Sequence, residues 1–153
     1  MNMGVTFHSC IREVSRETQD NIAYSAVHRF RAYLIEACIG KDMADRFEAV
    51  SRNDLLGNDD EIAFDEFVEI ELLESAKKKG GSAMGAYHLC NCSDCDAVFD
   101  EEVGAILESL NTLLNSDIVK DDFDYARLSQ MRDVFSDCYD RQQDGERAWV
   151  DMY

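Results

Sequence analysis

Eight consecutive residues, His88-Leu89-Cys90-Asn91-Cys92-Ser93-Asp94-Cys95, are the densest group of reactive side chains in this sequence. Thiolates and imidazole are the donors that hold structural zinc in a tetrahedron. Such sites usually draw ligand pairs from separated segments, whereas four ligands within eight residues demand severe bending. A remote His8 or Cys10 would then replace His88. Cys92 and Cys95 also form a C-x-x-C just before a predicted helix, which is a redox spacing, but the βαβ pattern around such motifs is missing. Plain reduced thiols are the third possibility, and spacing leaves all three open.

Carboxylates are the other chemistry-bearing pattern. Between Asn53 and Ala76 stand Asp54, Asp59, Asp60, Glu61, Asp65, Glu66, Glu69, Glu71 and Glu74, with no base among them. On a helix, Glu61, Asp65 and Glu69 fall one above another, each step rising about 6 Å at 1.5 Å per residue. That interval is comparable to the spacing of phosphates along a nucleic-acid strand. Asp133, Asp137, Asp140 and Asp144 repeat the device at steps of four, three and four, nearly opposite Met131, Phe135 and Cys138. Glu has the better helix propensity, so an all-Asp row keeps its charge close to the backbone at some cost in propensity. A solvated helix face is the ordinary use of such rows. Two of them with few compensating bases favour a binding role for Glu61, Asp65, Glu66, Glu69, Asp133, Asp137 and Asp140.

No catalytic signature accompanies these residues. G-x-S-x-G, a phosphate loop, H-E-x-x-H and an E-x-x-H pair are all missing, and Asn58-Asp59-Asp60-Glu61 lacks the alternation of a calcium loop. The expectation is a non-enzyme with no cofactor. His28 sits among apolar positions of a helix and reads as structural or interfacial. His28-Arg29-Phe30-Arg31 and Lys77-Lys78-Lys79 are too short to bind nucleic acid against a net charge of −17.

The elements that would position these residues are helices. Ile22, Ala26, Val27, Phe30, Tyr33, Leu34, Ala37 and Cys38 recur at helical steps, with Thr18 as N-cap and Gly40 as terminator. Ile11 and Val14 extend that pattern weakly back to Ser9. A second helix runs from Lys41 to about Arg52 around Met43, Phe47 and Val50. A third spans about Asp59 to Lys79 around Phe64, Phe67, Val68 and Leu72, with Ile70 as a further core candidate, although 61–72 also alternates as a strand would. Gly80-Gly81 stops it, and residues 80–96 read as a cysteine-containing loop. A fourth helix follows from about Ala97 to Leu114 and a fifth from about Asp121 to Gln142. The tail with Trp149, Val150, Met152 and Tyr153 is expected to dock on the domain. The prediction is a single all-α domain of five helices over residues 1–153.

Composition agrees. Proline is absent, which suits helix interiors. With 46% apolar residues the chain can build a core, and so differs from disordered acidic chains. Residues 1–40 carry Arg12, Arg16, Arg29 and Arg31 against Glu13, Glu17, Asp20 and Glu36, so the whole net charge lies beyond Gly40. Such a field repels nucleic acid and anionic membrane and attracts basic surfaces. No apolar run approaches the roughly 18 residues of a membrane span, and the first ten residues lack a signal-peptide pattern. The expected compartment is the cytoplasm, where thiols stay reduced. Cys10, Cys38 and Cys138 read there as small buried hydrophobes.

In size, charge, helix content and these acidic rows the chain resembles the small acidic proteins that phages and mobile elements use as DNA mimics, antirestriction factors and anti-CRISPR inhibitors. The resemblance implies an inhibitor of a basic nucleic-acid-binding protein of the host, a CRISPR effector or a restriction enzyme. The alternatives are a zinc-stabilised adaptor built on His88–Cys95, and a homodimer using the apolar tail around Trp149.

Overall fold

The computed structural model describes residues 4–14, 24–54, 64–92 and 96–153. Six helices and four short strands are present among them. α1 (Tyr24–Cys38) buries Ala26, Val27, Phe30, Leu34 and Cys38 of the stripe its periodicity foretold, and Ile35 beside them. The expected start at Thr18 lies outside the described residues. Ile39 and Gly40 both donate their N–H groups to the Ile35 carbonyl, at 2.8 and 2.9 Å, and α2 (Lys41–Asp54) begins at once. Phe47 of α2 is fully buried and stacks on His28 of α1 at 4.9 Å.

α3 (64–79) settles the ambiguity of 64–72 in favour of helix, with an irregularity the sequence did not announce. Phe67–Leu72 forms a π-helical turn, continued as a regular helix over Leu73–Lys79. The cause is legible in the residues. Phe67 and Val68 face the core, and a regular helix would bring Glu71 round to that face three and four residues later. One extra residue per turn puts Leu72 there instead. Glu71 is left outside, where Arg46 Nη2 donates to both its carboxylate oxygens at 2.7 Å.

Residues 80–96 are not simply a loop. Ser82–Cys90 forms α4, with Ala83, Gly85, Ala86, Tyr87, Leu89 and Cys90 buried. A helix covered on most sides shows no amphipathic period, and its small residues read like a linker. Gly85 has a packing role: a Cβ there would sit 1.9 Å from the Ala105 carbonyl oxygen of α5 (Val103–Leu114). α6 (Asp122–Gln143) matches expectation, with the Asp121 side chain accepting from the Asp124 N–H at 2.9 Å as its N-cap. Leu128, Met131, Val134, Phe135 and Cys138 form its buried stripe.

The all-α expectation is corrected by a four-stranded antiparallel sheet in the order β2-β1-β4-β3. β1 (Phe7–His8) and β2 (Glu13–Val14) make a hairpin where a weak helical extension was read. β3 (Ala97–Phe99) takes the first turn assigned to the fourth helix. β4 (Val150–Met152) is the docked tail, pairing with both β1 and β3. Strands of two or three residues are too short to display a period, and their partners are remote in sequence. Phe7 and Phe99 meet Phe135 of α6 at ring separations of 6.2 and 5.8 Å, which seats the sheet on the helical core. No helix of the described residues is long and apolar enough to cross a membrane.

A candidate acidic interaction surface

On α3, Asp65, Glu66, Glu69 and Glu74 are exposed, and the π-turn sets their arrangement. Glu69 lies within the π-turn and Glu74 in the regular helix that follows it. The carboxylates flank Ile70, which is 55% exposed and so does not join the core as its place in the apolar pattern suggested. Among the described residues no cation lies within ion-pair distance of Asp65, Glu66, Glu69 or Glu74. Glu71 is paired with Arg46. Lys77, Lys78 and Lys79 lie exposed at the far end of the helix, where they suit its dipole. Glu61 lies outside the described residues.

Asp65 and Glu69 overlook a cleft of about 350 Å³ shared with Phe64, Val68, Cys90, Asn91 and Cys92. Its lining offers carboxylates, two thiols and an apolar wall. Glu69 is felt inside the fold: the Tyr87 phenol is pushed up first by burial and then by that charge.

The second row is placed differently. Arg12, delivered by the β1–β2 hairpin, reaches Asp133 at 3.7 Å and Asp137 at 2.6 Å, and Arg132 Nε meets Asp133 at 3.0 Å. Asp133 and Asp137 are partly buried, while Asp140 and Asp144 are exposed. Two of the four carboxylates are therefore neutralised by cations that sequence spacing could not bring to them. The structure does not unite the two rows into one open array.

The cysteines differ in exposure. Cys90 is buried at the end of α4, and burial pushes its thiol up to about 12. Cys92 is half-buried, donating to the Leu89 carbonyl at 3.1 Å, and Arg31 Nη2 donates to its sulfur at 3.4 Å. His88 is half-buried on α4, and Cys95 lies outside the described residues. Among the described residues no three of His, Cys, Asp and Glu gather as a metal site. Cys38 and Cys138 are core thiols as read, each raised to about 11 by burial first. Cys10 is exposed on the hairpin, against its reading as a core residue.

The chain matches no family model, no curated protein and no solved structure. Its functional reading therefore stands on its own residues.

The most fully partnered charge escaped the sequence reading. Asp124 is 4% exposed, and accepts from Arg29 Nε and Nη2 at 2.8 Å each and from the Tyr33 hydroxyl at 3.0 Å. The hydrogen bonds from Arg29 hold its carboxyl below the usual range, with Tyr33 assisting against the effect of burial. The signal was present: Asp124 precedes Leu128 and Met131 by four and seven residues, on the apolar stripe, and a charge there requires a partner. The cluster ties α1 to the start of α6.

Proposed function

We propose that this protein is a non-enzymatic acidic inhibitor that occupies a basic, nucleic-acid-binding surface of a host defence protein, such as a CRISPR effector or a restriction enzyme. The observation that carries the proposal is the α3 patch. Asp65, Glu66, Glu69 and Glu74 are exposed, unpaired among the described residues, and set around a solvent-facing Ile70. A surface built to hold phosphates presents Lys and Arg, and carboxylates at similar intervals compete for them. Ile70 adds an apolar contact at the centre, where desolvated anchors contribute most to binding. Asp133, Asp137 and Asp140 have a secondary part, because Arg12 and Arg132 would have to be displaced before the first two could face a partner.

The test is capture of host proteins on the immobilised chain at about 0.1 M salt, where exposed charges still attract across roughly 10 Å. Elution with duplex DNA is expected to release a basic nucleic-acid-binding protein. Asp65→Lys combined with Glu69→Lys places like charges against that surface and should weaken capture roughly 100-fold, since such juxtapositions cost several kcal/mol. A folded double variant that still holds its partner would sink the mechanism.

A further inference from the structure

The four-stranded sheet turns Phe7, Val14, Phe99, Val150 and Met152 to the core. Its register then lines up Glu13, His8, Asp151 and Val98 across the four strands on the opposite side. Successive side chains of a strand alternate faces, so Trp149 and Tyr153 stand on that same outer side, flanking Asp151. Each is about 6.8 Å from it along the strand, at two residues per step. Val98 is 60% exposed, Tyr153 54% and Trp149 39%. β3 is an edge of the described sheet.

We infer that this outer face, with Asp151 between Trp149 and Tyr153 beside the β3 edge, is a second docking surface whose occupant is an extended partner segment bearing Arg or Lys at alternate positions. Three features select that occupant. An extended segment repeats its side chains every two residues, the interval of Trp149, Asp151 and Tyr153, and an edge strand can accept it through main-chain hydrogen bonds. Aromatic faces beside a carboxylate attract cations, and the molecule already shows this with the Arg147 guanidinium 5.9 Å above the Trp149 ring. Glu13 and Asp151 on the face, with Asp96 and Asp100 at the ends of β3, supply the complementary charge. A second copy of this chain would bring the same acids against them, and an anionic membrane would be repelled. Of the nearby cations, Arg12 is engaged by Asp133 and Asp137, and Arg147 reaches Asp100 at 3.8 Å.

Trp149 is the only tryptophan in the chain, so its emission reports on this face alone. The probe is a blocked six-residue peptide alternating Arg and Val, with a Glu-Val peptide as control. The Arg peptide is expected to change Trp149 emission saturably and the Glu peptide to leave it unchanged. Asp151→Asn with Tyr153→Ala should weaken the effect about tenfold, a loss of roughly 1.4 kcal/mol. If that pair lowers the thermal midpoint, Val98→Thr, an exposed edge position, is read instead, with weakening again expected. Arg147→Ala removes the resident cation and should tighten binding. Asp65→Lys with Glu69→Lys should leave the emission change intact, which separates this surface from the α3 patch. The inference is overturned by a flat titration, by an equal response to the Glu peptide, or by an effect lost with the α3 variants. An emission change that tracks protein concentration alone, with a doubled mass in solution, would assign the face to a second copy instead.

Discussion

Asp124 shows how far one side chain can depart from the use its neighbours suggest. Thirty-two acids make up the negative excess, yet this one is buried and serves as cement, held by Arg29 and Tyr33. Removing its charge in Asp124→Asn should cost about 1–3 kcal/mol in urea unfolding, less than a fully buried pair because Arg29 is half exposed. The pH dependence follows from its depressed folded-state value. Its stabilisation is complete above the unfolded carboxyl value of about 3.9 and is lost as pH falls through the folded value. The difference between the two proteins should stay constant from neutral pH down to about 5 and shrink below about 4. Thiols divide by the same reasoning. Cys38, Cys90 and Cys138 are raised by burial, and the thiolate is the reactive form. Brief treatment with iodoacetamide at neutral pH should label exposed Cys10 and spare those three until the protein is unfolded, as peptide mass mapping would show.

Single helices and strands record where local pattern governs and where packing overrides it. α1, α2 and α6 were legible because a stripe such as Leu128, Met131, Phe135 and Cys138 faces a core on one side only. α4 was not, because Ala83, Ala86, Leu89 and Cys90 are covered from several directions and its glycine resembles a linker residue. Gly85 tests that account directly. With a Cβ 1.9 Å from the Ala105 carbonyl oxygen, Gly85→Ala should separate α4 from α5 and cost about 2–4 kcal/mol, at or above the usual range for overpacking. Helix propensity alone predicts the opposite sign, so a stabilised variant in a urea melt would refute the close approach. The π-turn belongs to the same scale. It resolves a conflict between Phe67–Val68 and Glu71, and in doing so fixes which α3 carboxylates share a surface.

The whole molecule closes through its two ends. β4 lies between β1 and β3, so the tail is an inner strand and not a free arm. Ending the chain at Gly145 removes Ala148, Val150 and Met152, all buried, together with the ladders on both sides. Two- and three-residue strands have no independent stability. The truncated chain should therefore lose its cooperative thermal transition by circular dichroism, and a sharp transition near that of the full chain would contradict the observed order. The charge of −17 acts at this scale too, repelling itself across the compact state. The hairpin converts part of it into internal pairing: Arg12, from the neutral first forty residues, neutralises Asp133 and Asp137. Asp65, Glu66, Glu69 and Glu74 of α3 stay open and uncompensated among the described residues.

What the residue order determined by itself was local: the helix-rich character, the stripes of α1, α2 and α6, and an acidic excess confined beyond Gly40. These depend on neighbours within a few positions, whose spacing is written directly in the chain. The tertiary structure decided the sheet, the buried α4, the Arg29–Asp124 clamp and which acidic row stays open. Each of these joins residues far apart in sequence, and the short strands and all-round burial that create them leave no period to read.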